Sequence, residues 1–344
     1  RVASIAVHPD GRILVVERQV PTVRVFDPEG AYLESWGRRG GGPGELENPD
    51  AGLVALPDGR VVVRDRGNAR LQLFDAGGAD AGSWPLITGQ YINRRAFGLR
   101  GDTLINPDIV NPMDPLPDWR LGLVRITAEG EVVDTLPIPD SGRRPHRFIA
   151  RDAGNMSERD LPFAPAEQWA WHPDGFVVHG VSDTYAFTLH RDGSPLAIER
   201  EIDPVPVTRA ESAQEEAGVV NAMRWLDPNW QWDGPRIPDT KPYFSGILTG
   251  SEGRIWVRRD GPAYEAADPD YDPEDPWDTE IRWRSEQLLD AFASNGRFLG
   301  TVAAPRDLDW RIPPVLAGDT LWAVARDDLG VQRVRKYVLE VEPS

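Results

Sequence analysis

Short apolar runs separated by Gly- and Asp-containing turns recur along the whole chain. IAVHPDGRILVVE (5 to 17) sets two apolar runs around one tight turn, and TVRVFDPEGAYLESW (22 to 36) repeats the arrangement. Runs of this length with period-two alternation predict β-strands, and the turns between them predict hairpins. At an offset of 48 residues the pattern returns: HPDGRILVV (8 to 16) lies over LPDGRVVVR (56 to 64), VRVFDPEG (23 to 30) over LQLFDAGG (71 to 78), and Trp36 over Trp84. An internal repeat of roughly 40 to 50 residues holding four short strands is the pattern of a β-propeller blade.

Four more degenerate copies follow. They are RGDTLIN with LVRITAEGEVVDTL (100 to 136), HPDGFVVHG with YAFTLHRDGSPLAIER (172 to 200), SEGRIWVRR with LLDAFASNGRFLGTV (251 to 302), and AGDTLWAVAR with VRKYVLEV (317 to 341). The expected fold is therefore all-β, a six-bladed β-propeller of four-stranded antiparallel blades forming one domain over 1–344. The blades are expected near 2–37, 50–85, 95–137, 166–203, 243–303 and 308–344. VRKYVLEV stands where a third strand belongs, so the last blade is expected to hold three strands here, with the fourth supplied from upstream of Arg1. A length that would ordinarily suggest two domains fits one propeller, because each blade packs only on its neighbours.

The second copy carries a more specific pattern. GRRGGGPGELENPDAGLVALPDGRVVVRDRGNARLQLFD (37 to 75) resembles an NHL repeat at Gly37, Gly40, Pro43, Gly44, Glu45, Leu46, Pro49, Asp58, Gly59, Val63, Asp65, Asn68, Arg70, Phe74 and Asp75. The first copy keeps the D-G turn and V-R-V-F-D but has Glu17 where the pattern has Asp, and the later copies keep little beyond their turns. The resemblance implies a six-bladed NHL-type propeller of the kind found in secreted or periplasmic bacterial proteins. Such propellers serve as binding scaffolds, lyases, lactonases and docking platforms, so the resemblance implies no single activity. In the motif itself Asp65 and Arg70 are expected to pair across the gap between second and third strands.

In an antiparallel meander, the turns joining strands one to two and three to four lie on one face of the disc, and all other connections on the opposite face. The first class is uniformly short. The second carries every long segment: 38–49, 85–95, 107–119, 137–165, 205–242 and 259–284. Long loops in compact domains usually carry function, so the elaborated face is the expected working surface. One insertion predicts a helix, with Thr208 as N-cap and Glu211 completing a capping box before Ala213, Ala217, Val220 and Leu226.

Charge narrows the partners. Asp and Glu total 55 against 38 Lys and Arg, a net charge of −17 that argues against nucleic acid and anionic membranes. Lys241 and Lys336 are the sole lysines, so the positive charge is nearly all guanidinium. No cysteine is present, and no apolar run approaches the roughly 18 residues of a membrane-spanning helix. The expected location is extracellular or periplasmic, with a membrane-anchored lipoprotein, held through a segment upstream of Arg1, as a variant of it.

Arg64, Arg66, Arg258, Arg259 and Arg326 stand at the ends of second strands, where a propeller's central funnel opens, and guanidinium forks suit carboxylates, sulfates and phosphates. Seven of the 13 tryptophans lie in or beside the long loops, and WLDPNWQWDG (225 to 234) crowds Trp230 and Trp232 into a turn-rich stretch, which suits ligand stacking. Asp268, Asp270 and Asp272 begin like a calcium loop, although Pro273 replaces its turn glycine and Thr279 its closing Glu. His8, His172 and His190 fall at short turns, leaving His179 and His146 on the elaborated face. Asp183, Asn106 and Asp327 are the candidates for a lactonase-like ligand set. The expected function is binding without catalysis, of an acidic glycan, a small carboxylate or a protein, with no cofactor other than calcium in prospect. The alternative is a metal-dependent lyase or lactonase with its site in the funnel.

Overall fold

The computed structural model describes residues 1–86, 95–111, 113–114, 119–268, 271–274, 279–327 and 329–340. The chain folds as an all-β six-bladed propeller, each blade an antiparallel meander whose first strand is innermost. Blade 1 is β1 (Val2–Val7), β2 (Ile13–Glu17), β3 (Thr22–Phe26) and β4 (Tyr32–Trp36), and blade 2 is β5 (Pro49–Ala55), β6 (Val61–Asp65), β7 (Arg70–Phe74) and β8 (Asp80–Pro85). Blade 3 comprises β9 (Gly98–Arg100), β10 (Thr103–Ile109), β11 (Leu121–Ile126) and β12 (Val132–Pro137). A separate hairpin of β13 (Arg147–Asp152) and β14 (Asn155–Asp160) precedes blade 4, which holds β15 (Glu167–His172), β16 (Phe176–Val181), β17 (Ala186–His190) and β18 (Leu196–Glu199). Helix α1 (Arg209–Arg224) separates it from blade 5, with β19 (Gly246–Thr249), β20 (Ile255–Ala267), β21 (Ile281–Phe292) and β22 (Phe298–Ala303). Blade 6 shows three strands among the described residues, β23 (Val315–Ala317), β24 (Thr320–Arg326) and β25 (Gln332–Val338).

Each middle strand is buried on both sides, which is why its sequence is a continuous apolar run and not an alternating one. Val61 and Val63 of β6 pack toward blade 1 against Leu14, Val16 and Val23, whereas Val62 packs toward blade 3 with Leu71, Leu73, Leu104 and Val124. The same division continues around the ring. Ile105 and Leu123 meet Trp171 and Val177, Val178 and Phe187 meet Ile255 and Phe292, and Trp256 and Leu289 meet Leu316 and Leu321. Ile5, Ile13 and Val15 then meet Val324 and Ile312, closing blade 6 onto blade 1.

A polar latch repeats on the plain face. Arg12 donates to the Ala76 carbonyl at 2.7 Å and lies 5.5 Å from the Trp36 ring centroid. One repeat on, Arg60 donates to the Ala128 carbonyl at 2.8 Å and lies 5.8 Å from Trp84. Each indole fills space that only glycine leaves: a Cβ on Gly78 (φ +84°) would come within 2.0 Å of Trp36, and one on Gly130 (φ +91°) within 2.2 Å of Trp84. Histidines make a second staple, since His8 Nε2 donates to the Gly59 carbonyl at 2.9 Å and His172 Nε2 to the Gly253 carbonyl at 2.7 Å. Both HPDG turns are thereby tied to the next blade.

The motif residues of the second repeat are scaffolding, through contacts other than the expected pair. Asp65 accepts from the amides of Glu47 and Asn48 and from Asn68 Nδ2, and Arg70 donates to the carbonyls of Gly42 and Glu45. The two side chains brace the preceding Gly-rich loop separately, because that loop's backbone offers both with unpaired groups.

Three of the long segments, 137–165, 205–242 and 259–284, form a cap. The hairpin β13–β14 and α1 share an apolar cluster in which Phe148, Ala150 and Leu161 meet Val219, Met223, Trp230 and Ile237. The capping box of Thr208 and Glu211 is present, but Ala213 and Ala217 are exposed; the packed face is instead Val219, Val220 and Met223, on the side where the hairpin lies. The 259–284 insertion extends β20 and β21 into a ribbon whose pairing runs from Arg258↔Leu289 out to Ala267↔Ile281, with a bulge between Asp260 and Ala263. Gln214 of α1 joins this ribbon as a strand would, donating to the Trp283 carbonyl at 2.9 Å and accepting from the Trp283 amide at 2.6 Å. Beside it Lys241 Nζ, fully buried, contacts Glu211 Oε1 at 2.7 Å, the Gly261 carbonyl at 2.8 Å and Ser285 Oγ at 2.7 Å.

Lys241→Met should therefore strand the Glu211 carboxylate and destabilise the cap by about 3 to 5 kcal/mol. Hydrogen exchange should accelerate in 209–224 while the amides of β6 and β16 keep their protection; equal loss in both would show that the cap is not a separate unit. A second expectation concerns pH. Burial holds the His172 imidazole below its ordinary value of 6.5 despite the opposing Gly253 hydrogen bond and Asp174 charge, and burial lowers His179 and His190 as well. The unfolded chain binds these protons first, so the stabilisation is complete above pH 6.5 and is lost as pH falls through the folded values. Asp140, held at about 2 chiefly by Arg144, titrates far below that window. Calorimetry should show the melting temperature falling from pH 6.5 to 5, with a shallower slope in His172→Gln.

Candidate functional site

The predicted arginines separate into two groups. Arg64 is buried, 2% exposed, and donates to Asp50 Oδ1 and Asn106 Oδ1 at 2.8 Å each and to the Arg95 carbonyl. Arg66 is half-buried nearby, with burial lowering its pKa and the charge of Asp50 opposing that shift. Arg259 is bidentate on Asp290 at 2.7 and 3.0 Å, and that fully buried carboxylate also accepts from Tyr185, Arg200 and Thr301. Arg326 donates to Asp309 at 2.9 Å. Although burial raises Asp309, the hydrogen bonds of Arg311 and the charges of Arg311 and Arg326 hold it below the usual carboxylate range. Arg64 thus ties blade 2 to blade 3, and Asp290, held by Arg259 within blade 5, reaches Tyr185 and Arg200 of blade 4.

Arg258 differs. Being one residue before Arg259 on β20, it points to the opposite side of the strand. It donates from Nε to Ser245 Oγ at 3.2 Å and from Nη2 to the Ser245 carbonyl at 3.1 Å, and its guanidinium carbon lies 4.9 Å from the Trp310 ring centroid. Among the described residues no carboxylate stands within ion-pair distance of it. Burial pulls its pKa below the usual guanidinium value, and the charge of Asp260 partly opposes the shift.

Arg258 lines a cavity of about 450 Å³ between the cap and blades 5 and 6. Its roof is the N-terminal half of α1, with Glu211 and Glu215 one turn apart, together with Phe163 after the hairpin. Its walls are the ribbon, with Asp260, Tyr264 and Trp283, and the 306–310 segment, with Trp310. Glu211 is neutralised by Lys241, and Arg306 is ion-paired with Glu286 while its guanidinium lies 4.2 Å from the Tyr264 ring. Asp260 accepts from Gln287 Nε2 at 2.6 Å, and Glu215 takes a long 3.4 Å contact from Gln214. A second cavity, about 500 Å³ between blades 6 and 1, is lined by Arg326, Glu17 and Gln332.

The predicted stacking tryptophans do not overhang the funnel. Trp230 is buried, with its ring 5.7 Å from Phe148 and edge-on to it, and the half-buried Trp232 lies 4.2 Å from the same ring, so both pack on the cap's own core. Trp277 and Asp270 lie outside the described residues. Asp268 faces the guanidiniums of Arg282 and Arg284, and Asp272 accepts from the Glu274 amide. Asp183 pairs with Arg143, Asn106 with Arg64, and Asp327 with the Leu329 and Val331 amides, three separate places and not one ligand set. His179 and His190, expected on opposite faces, have ring centroids 5.8 Å apart, because β16 and β17 pair His179 with Thr188 and so bring both rings to one sheet side. Glu215 and Tyr264 were not singled out as ligand residues from the sequence, since no local spacing joins a helix, a ribbon and a blade edge. Lys241 had a signal in its rarity.

No protein-family model matches the chain, and no curated protein matches it. Among solved structures, a member of the DUF4221 family from Bacteroides vulgatus superposes with a TM-score of 0.57 at 11% identity, over 99% of this chain and 93% of that one. Virginiamycin B lyase from Staphylococcus aureus gives 0.44 at 12% identity over 96% and 92% of the two chains. An aldose sugar dehydrogenase from Streptomyces coelicolor, in its PQQ-bound form, gives 0.40 at 15% identity over 98% and 94%. The first of these likenesses shows the propeller fold and nothing finer.

Proposed function

We propose that this propeller binds a small anionic ligand, without transforming it, in the groove between its cap and blades 5 and 6. One observation carries the reading: Arg258 is drawn out of water into a cavity, stacked on Trp310 and bonded to Ser245, with no carboxylate in ion-pair reach among the described residues. A partly desolvated guanidinium with no carboxylate in direct contact is unfavourable, and a ligand carboxylate would make that contact through a bidentate fork. The cavity volume of about 450 Å³ falls in the range of roughly 300 to 1,000 Å³ usual for small-molecule sites. Aromatic groups beside a few polar ones are also what such sites present.

Arg258 and Arg64 make a matched pair for the test. A charge-assisted hydrogen bond contributes about 1.5 to 3 kcal/mol, so Arg258→Ala should weaken binding of an organic carboxylate by roughly 10- to 150-fold. Its melting temperature should stay within about 2 °C of the parent, since surface-cleft truncations that strand no buried charge cost little. Arg64→Ala removes the guanidinium that ties buried Asp50 to Asn106 and should cost about 3 to 5 kcal/mol of stability. Titration calorimetry over a panel of carboxylates, with melting curves for both variants, separates the roles. Absence of carboxylate binding, or equal destabilisation by the two changes, would sink the assignment.

A further inference from the structure

We propose that the ligand is a sugar acid, a polyhydroxylated ring bearing a carboxylate such as a uronic acid residue. The inference rests on the groove being an anion site and specifies what else the anion must carry. Arg258 and Asp260 are two residues apart on β20 and so share one side of that strand, roughly 7 Å apart along it. The groove therefore presents a cation and an anion side by side. Asp260 receives one hydrogen bond, from Gln287, and Glu215 one long contact, from Gln214; neither has a cation within ion-pair distance among the described residues. Each ionised carboxylate has capacity for further donors. A ligand that covers them must bring hydrogen-bond donors as well as its own negative charge.

The aromatic residues restrict the ligand further. The Trp310 ring has Arg258 against it and the Tyr264 ring has Arg306, whereas Trp283 carries no such cation among the described residues. The backbone of Trp283 is pinned in both directions by Gln214, which fixes where its indole begins. A pyranose offers a flat C–H face to stack on an indole, hydroxyls to donate to Asp260 and Glu215, and a carboxylate for Arg258. An aryl carboxylate would satisfy Arg258 and Trp283 but would cover two carboxylates without bringing them further donors, which is unfavourable.

Titration calorimetry at pH 7 with glucuronate and galacturonate, the matching neutral hexoses, benzoate and phenylalanine tests the class. The uronates should bind, with the neutral hexoses weaker by about tenfold or more. Asp260→Ala and Trp283→Leu should each weaken uronate binding about tenfold, and Asp260→Ala should leave any residual benzoate binding unchanged; melting curves establish that both variants are folded. Tighter binding of benzoate or phenylalanine than of either uronate, lost in Arg258→Ala, would overturn the sugar assignment while leaving the anion site standing. Uronate binding indifferent to Asp260 and Trp283 would overturn it also. Failure of every anion to bind would remove the anion site itself.

Discussion

A four-stranded blade of this protein is apolar on both sides and can bury neither by itself. Val62 needs blade 3 while Val61 and Val63, its neighbours in sequence, need blade 1, and the same demand passes along the ring until Val15 and Ile13 meet Val324. Closure is thus a packing requirement, and a register slip of one residue would exchange the two faces of a strand. The latches of Arg12 and Arg60, and the histidine staples of His8 and His172, act at the plain-face turns where adjacent blades come within hydrogen-bond distance. Those turns are short because they are themselves part of the inter-blade contact.

The opposite face escapes that requirement, and there the chain builds a cap with a core of its own. Phe148 and Met223 pack within the cap, yet the cap's attachment to the ribbon is polar: Gln214 completes the backbone bonding of Trp283, and Lys241 bridges Glu211 to Gly261 and Ser285. A hydrophobic seam would tolerate sliding, whereas buried hydrogen bonds with fixed partners define one position. The groove between cap and blades takes its shape from that position.

Arginine does nearly all the cationic work, and strand parity decides what each one does. Arg259 faces the interior and finds Asp290, while Arg258, adjacent in sequence, faces the groove and finds Ser245 and Trp310. Arg64 and Arg326 sit at equivalent strand ends but meet Asp50 and Asp309, supplied by β5 and by the 306–310 segment respectively. Identical side chains at similar repeat positions consequently divide into structural ties and one candidate ligand anchor. In the cap, the same competition takes Trp230 and Trp232 for the core, since an indole beside Phe148 gains more from burial than from exposure.

The architecture is legible along the chain. Short apolar runs, D-G turns and the 48-residue offset specify blades through local geometry, and local geometry is what a short window of residues encodes. The sequence also determined the asymmetry of the two faces and the Thr208–Glu211 helix start, both set by connection length or by neighbours along the chain. The remaining features follow from packing in three dimensions. Whether Asp65 meets Arg70, which side of α1 is covered, which guanidiniums Asp268 meets, and which arginine lines the groove beside the cap depend on groups that other elements of the fold supply. Electrostatic and packing energies act on distance in space, and sequence spacing carries no measure of that distance once a helix, a ribbon and a blade edge converge on one groove.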